Sequence, residues 1–161
     1  MKRLAFALSL VLLLGLSLGS LASAQSPVFT ASLNGAEEVP AVDTLARGQA
    51  VFRLDRSGDA LHYRLIVANI EDVTMAHIHL AAAGVNGPAA VWLYPASPPA
   101  QLIEGRYSGV LAEGVITVDN LSGPLAGASL EDLLDHLRDG NAYVNVHTLQ
   151  FPAGEVRGQI R

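Results

Sequence analysis

The segment Leu61-His62-Tyr63-Arg64-Leu65-Ile66-Val67 carries an apolar side chain at every second position, and this alternation constrains the fold more than any other feature of the chain. Strand side chains point alternately to opposite faces, so a period of two buries one face of a sheet and leaves the other free. The preceding run, Gln49-Ala50-Val51-Phe52-Arg53-Leu54, is separated from it by Asp55-Arg56-Ser57-Gly58-Asp59. Two strand-like runs around a short polar turn containing Gly predict a hairpin. Further strands are expected over 28–33, 73–80, 90–94, 107–111, 115–118, 143–148 and 155–160. Many short strands punctuated by Gly, Pro and Asn predict an all-β chain, an antiparallel β-sandwich or a Greek-key barrel.

One segment has a different period. Over 129–138, Leu130, Leu133, Leu134 and Leu137 fall at i, i+3, i+4 and i+7, the stripe of a short amphipathic helix. Ser129 is suited to the N-cap, Glu131 and Asp132 to the first turn, and Arg138 to the last. Gly140 can take the positive φ that ends a helix.

The amino-terminal residues read as an export signal. Lys2 and Arg3 precede an apolar run over 4–21, and Ala22-Ser23-Ala24 supplies the small residues of a cleavage site. Residues 1–24 are therefore expected to be removed, leaving a single domain over 25–161 with no membrane span, secreted to a periplasm or the extracellular space. The mature chain keeps eight arginines against fifteen acidic residues, a net charge of −7. That balance argues against a nucleic-acid partner, for which a basic face supplies most of the affinity. With no cysteine, the domain has no disulfide and no thiolate ligand, and relies on apolar packing. The sequence has no Gly-x-Ser-x-Gly elbow and no glycine-rich nucleotide loop, so neither a hydrolase nor a nucleotide cofactor is indicated.

The chemistry concentrates in two expected strands. In Ala76-His77-Ile78-His79-Leu80, the two imidazoles share one face while Ala76, Ile78 and Leu80 share the other. In Tyr143-Val144-Asn145-Val146-His147-Thr148, Val144 and Val146 face the core, and Tyr143, Asn145 and His147 face away. All three histidines are thus expected on outer faces. If the strands are neighbours, His77, His79 and His147 form a three-nitrogen set with room for water, which suits copper or zinc. The plainer alternative is a set of histidines hydrogen-bonded to Asn145, Glu155 or backbone on a metal-free binding face. Glu155 is the candidate acceptor behind a ligand, or a fourth ligand. Arg157, two residues on, is the candidate anion guide, and an exposed ion pair is the alternative for both. Glu37-Glu38 reads as a loop face, and Gly84 to Pro88 as a tight turn that would roof any site.

Leu33-Asn34-Gly35-Ala36-Glu37-Glu38-Val39-Pro40, followed by Gly48-Gln49-Ala50-Val51-Phe52, resembles the opening of a CHRD (chordin-type) domain. The resemblance continues through Ala76-His77-Ile78-His79 and Gly84-Val85-Asn86-Gly87-Pro88. It closes with Gly140-Asn141-Ala142-Tyr143-Val144-Asn145-Val146-His147-Thr148 and Pro152-Ala153-Gly154-Glu155-Val156-Arg157-Gly158-Gln159-Ile160, in family order. It implies an extracellular, immunoglobulin-like β-sandwich acting as a binding or accessory module, with an extracellular protein, a glycan or a metal ion as partner. A fainter likeness is to the copper–zinc superoxide dismutases, which also carry His-x-His on a sandwich strand and end with an Ala-Gly phrase followed by an arginine. Ala153-Gly154 and Arg157 echo that ending. There is no further histidine cluster for a bridged zinc, so this likeness implies at most a mononuclear site with weak redox chemistry.

Overall fold

The computed structural model describes residues 26–161, so the expected export signal over 1–24 lies outside the described residues. Seven strands and one short helix follow in the order β1 (Val28–Asn34), β2 (Arg47–Leu54), β3 (Leu61–Leu80), β4 (Ala89–Tyr94), β5 (Ile103–Ile116), α1 (Leu130–Arg138), β6 (Ala142–Thr148) and β7 (Val156–Gln159). The fold is all-β, as the period-two runs indicate. Every strand pairing is antiparallel. The pairings run β2-β1-β7-β6-β3-β4, and β2 also pairs with β3, so five strands close a circuit. β5 lies on β3 outside that circuit.

The closure depends on β3, which is one strand of 20 residues where the sequence suggests two, over 61–67 and 73–80. Asn69 and Asp72 take positive φ, 55° and 52°, a conformation that Asn and Asp tolerate better than other side chains. The β3–β5 register shifts on either side of these residues. Such bulges bend a strand without ending it. Two bonds from β5 partner the bends: the Asn69 amide donates to Ser108 Oγ, and the Gly105 amide donates to Asp72 Oδ1. The first half of β3 pairs with β2 and β5, and the second half with β6 and β4. The expected strands over 107–111 and 115–118 are likewise one strand, β5, and Val118 begins a 3-10 turn.

Apolar side chains from the inner faces meet in one core that includes Phe52, Leu61, Leu65, Ile70, Ile78, Leu93 and Ile116. The helix adds Leu130, Leu133, Leu134 and Leu137, all buried. Its ends are those the sequence indicates. The Ser129 hydroxyl accepts from the Asp132 amide, the Asp132 carboxylate accepts from the Ser129 amide, and Gly140 has φ 67°. The repeated tripeptide Arg-Gly-Gln marks the two neighbours of β1, since Asn34 is opposite both Arg47 and Arg157.

Phe52 is fully buried, whereas Leu45 is 82% exposed on the loop between β1 and β2. Phe52→Ala is expected to lower the unfolding free energy by about 3–5 kcal/mol. Leu45→Ser should change it by no more than about 0.5 kcal/mol. Urea unfolding measures both, and equal losses at the two positions would contradict this core.

Candidate metal centre

The register of β3 on β6 sets the site. Met75 is opposite His147, His77 opposite Asn145, and His79 opposite Tyr143. On the reverse face Ala76 is opposite Val146 and Ile78 opposite Val144, and all four are fully buried. Burial of that apolar face therefore directs the three histidines to the same side of adjacent strands. The structure brings His77, His79 and His147 together, with one ring nitrogen from each lying within 4.8 Å of the others. His77 Nδ1 and His147 Nε2 are 3.1 Å apart.

Far from being solvated, this outer face is covered. His77 is 4% exposed and His147 6%, because three loops fold over the strands. From the 81–88 loop, the Gly87 carbonyl accepts a 2.9 Å hydrogen bond from His79 Nδ1. From the 149–155 loop, the Pro152 carbonyl accepts a 2.9 Å bond from His147 Nδ1. A carbonyl can only accept, so each of these Nδ1 atoms carries the proton, and each Nε2 presents a lone pair to the site. Trp92 stands edge-on to His77, with ring centroids 4.3 Å apart, and Tyr143 stacks on His79 at 4.9 Å.

Arg157 secures the roof. It is 1% exposed, opposite Asn145 on β7, with its guanidinium 3.4 Å above the centre of the Tyr143 ring. It donates to Asn86 Oδ1 and the Val85 carbonyl, at 3.1 and 2.8 Å. The Asn86 amide in turn donates to the Val39 carbonyl, tying the 81–88 loop to the 35–46 loop. Glu155 is buried and accepts a 2.7 Å bond from the Thr44 hydroxyl, so it holds the 35–46 loop. Neither residue belongs to an exposed ion pair. Asn145 lies among the histidines and donates to the Ala153 carbonyl at 3.3 Å.

Glu38, which the sequence places on a loop face, is instead buried beside Asn145, a placement that sequence reasoning misses. It is 7% exposed, while its neighbour Glu37 faces solvent. A β-carbon on Gly154 would lie 2.5 Å from Glu38 Oε1 and 2.6 Å from Asn145 Nδ2, so only glycine leaves room for both side chains here. Gly154 also has φ 134°, which disfavours any other residue. The only local signal for Glu38 is its place in the family phrase, because nothing in the spacing marks its burial. His62 is exposed on β3, and His136 is half-buried on α1; neither joins the site.

Four buried side-chain atoms among the described residues lack a hydrogen-bond partner: Glu38 Oε1, His77 Nε2, His79 Nε2 and Asn145 Oδ1. All four belong to this one cluster. An unpartnered buried polar atom costs about 1–3 kcal/mol, so their concentration makes this cluster the candidate ligand site. Nitrogens on one tetrahedral ion lie about 3.4 Å apart at bond lengths of about 2.0–2.1 Å. The histidine set fits such an ion after ring movements of about an ångström.

The electrostatics follow from burial. Desolvation, with neighbouring histidines adding to it, holds His77 down to about 3. Desolvation likewise holds His147 down to about 4, against the opposing bond to Pro152. His79 is also lowered, first by burial and then by Arg157. Burial pushes Glu38 up to about 7, although Arg157 opposes it. The two kinds of shift act in opposite directions on stability. The unfolded chain takes up histidine protons near pH 6.5 that the native site refuses, so this contribution is complete above that pH and is lost as pH falls towards 4. Glu38 is protonated first in the native state, so its contribution is complete below about pH 4.5 and is lost as pH rises through about 7. The metal-free protein should therefore gain stability as pH rises from about 4.5 and level off near about pH 7.5, because three histidines outweigh one carboxyl across the acid side. Urea midpoints between pH 4.5 and 8 check this. His77→Gln should lessen the gain between about pH 4.5 and 7 and Glu38→Gln should enlarge it, whereas a wild-type profile that is flat or falls over that interval would contradict the assignment.

The comparisons with known proteins agree with the sequence motifs. The family described as CHRD domain matches residues 29–160. Among curated proteins, the chain is similar to "Chordin" of Danio rerio, 36% identical over 126 residues. That match covers 75% of this chain and 12% of the relative's length. No solved structure matches the chain. With the family matched over almost the whole described domain, the chain belongs to the CHRD domain family.

Proposed function

We propose that this protein is a secreted CHRD-domain binding module of the cell envelope or extracellular space that holds one copper or zinc ion on His77, His79 and His147. The observation that carries the proposal is the orientation of the imidazoles. His79 and His147 each commit Nδ1 to a backbone carbonyl, so both Nε2 lone pairs are fixed towards the neighbouring histidines. A backbone acceptor behind each ligand sets its tautomer and raises its basicity. The depressed proton affinity of the three rings keeps them neutral at physiological pH, the form that binds metal. Three neutral nitrogens suit Cu(II) or Zn(II), with a fourth position left for water. The leader-like residues 1–24 support export, and no helix among the described residues is long and apolar enough to cross a membrane. The wider partner is an extracellular protein or glycan, consistent with the family's membership in chordin.

The dismutase-like alternative requires Arg157 to attract an anion. Its guanidinium is buried and already bonded to the roof, which weighs against that role.

The test is the metal content of the purified protein after loading with copper or zinc and desalting. About one equivalent per chain is expected in the wild type. His77→Ala/His79→Ala should lower the affinity at least about a hundredfold while leaving a cooperative unfolding transition. An absence of retained metal in the wild type would leave a metal-free adhesion module as the reading.

A further inference from the structure

The histidine set uses three of the four orphaned residues as ligands or their immediate neighbours, but Glu38 has no place in it. The carboxyl reaches the cluster from the 35–46 loop, far from β3 and β6 in sequence. Its Oε1 lies beside Asn145 Nδ2, both close to the point that a Gly154 β-carbon would occupy. Asn145 is opposite His77 on the neighbouring strand, and its side-chain oxygen, like His79 Nε2, has no hydrogen-bond partner. With Nδ1 of His79 donating to Gly87, its Nε2 is an acceptor, as are Asn145 Oδ1 and the Glu38 carboxylate. Acceptors cannot satisfy one another. The donor in this corner, Asn145 Nδ2, bonds the Ala153 carbonyl and none of these acceptors, which are left without a cation or a donor.

An ion on the three imidazoles supplies the first, and a water in its open position supplies the second. We propose that Glu38 and Asn145 act together as the hydrogen-bond acceptors of the fourth ligand, so that the site takes a neutral, proton-bearing ligand such as water and turns anions away. This rests on the metal-binding reading above. Glu38 is on this account a positioning and selecting residue, not a metal ligand, since it is absent from the group whose donor atoms lie within 4.8 Å of one another. An anion in the fourth position would face a carboxylate and a carbonyl oxygen at close range. The one cation nearby, Arg157, cannot swing in to compensate, because its donors hold the Val85 carbonyl and Asn86 and its face is stacked on Tyr143.

The experiment is an azide titration of the Cu(II)-loaded protein at pH 8, followed by the azide-to-copper charge-transfer band, with copper content measured in parallel. At that pH the Glu38 carboxyl, pushed up to about 7 by burial, is largely ionised. Glu38→Gln removes the charge with little change in shape, and is expected to bind azide at least about tenfold more tightly than wild type. Glu38→Asp keeps the charge and should remain closer to wild type. Should Glu38→Gln fail to retain copper, Asn145→Ser decides the matter, with the same direction expected. Copper retained in all variants with equal azide affinity would overturn this inference and leave the metal site standing. A wild-type protein that retains no copper or zinc would overturn both.

Discussion

The site depends on the antiparallel register of β3 on β6. A strand slipped by one residue exchanges its two faces, and here the exchange would bring Ala76, Ile78, Val144 and Val146 out of the core. Burying a side chain of this kind is worth about 1.5–3 kcal/mol, so a slip is opposed by several such terms at once. The same register places His77 beside Asn145 and His147, and His79 beside Tyr143. Hydrophobic burial on one face thus fixes the polar constellation on the other. The bends at Asn69 and Asp72 serve the same end, because they let β3 leave β2 and β5 and reach β6 without a break.

The constellation is expensive to keep dry, and the roof shows how the chain meets that cost. Each loop over the histidines contributes a group that answers a buried one. Gly87 and Pro152 provide carbonyls for imidazoles, Val85 and Asn86 provide acceptors for Arg157, and Thr44 provides a hydroxyl for Glu155. Four buried atoms of the cluster remain unanswered. The proposed metal with one bound water would give these atoms a common partner. The central claim therefore rests on donor chemistry as well as on proximity.

Much of this was legible in the sequence. The period-two runs gave the all-β class, the leucine stripe gave the helix, and Ser129 and Gly140 marked its ends. The His-x-His strand and Asn145-Val146-His147 identified the residues that meet, since alternation alone puts each pair on one face. Three features were not legible, each for a non-local reason. The stretch Asn69-Ile70-Glu71-Asp72 falls between the two expected strands, and its pairing with β5, including the bonds to Ser108 and Gly105, carries one strand through it. The outer faces looked solvated because the roof is assembled from afar, as in the bond from Arg157 to Asn86, 71 residues away. Glu38 resembled a surface acid for the same reason.

The most direct test of the three-histidine centre is X-ray absorption at the metal edge of protein loaded with one equivalent of copper or zinc. The account predicts about three imidazole scatterers with metal–nitrogen distances of about 2.0–2.1 Å and a lighter fourth ligand. A first shell dominated by oxygen, with one imidazole or none, would contradict it.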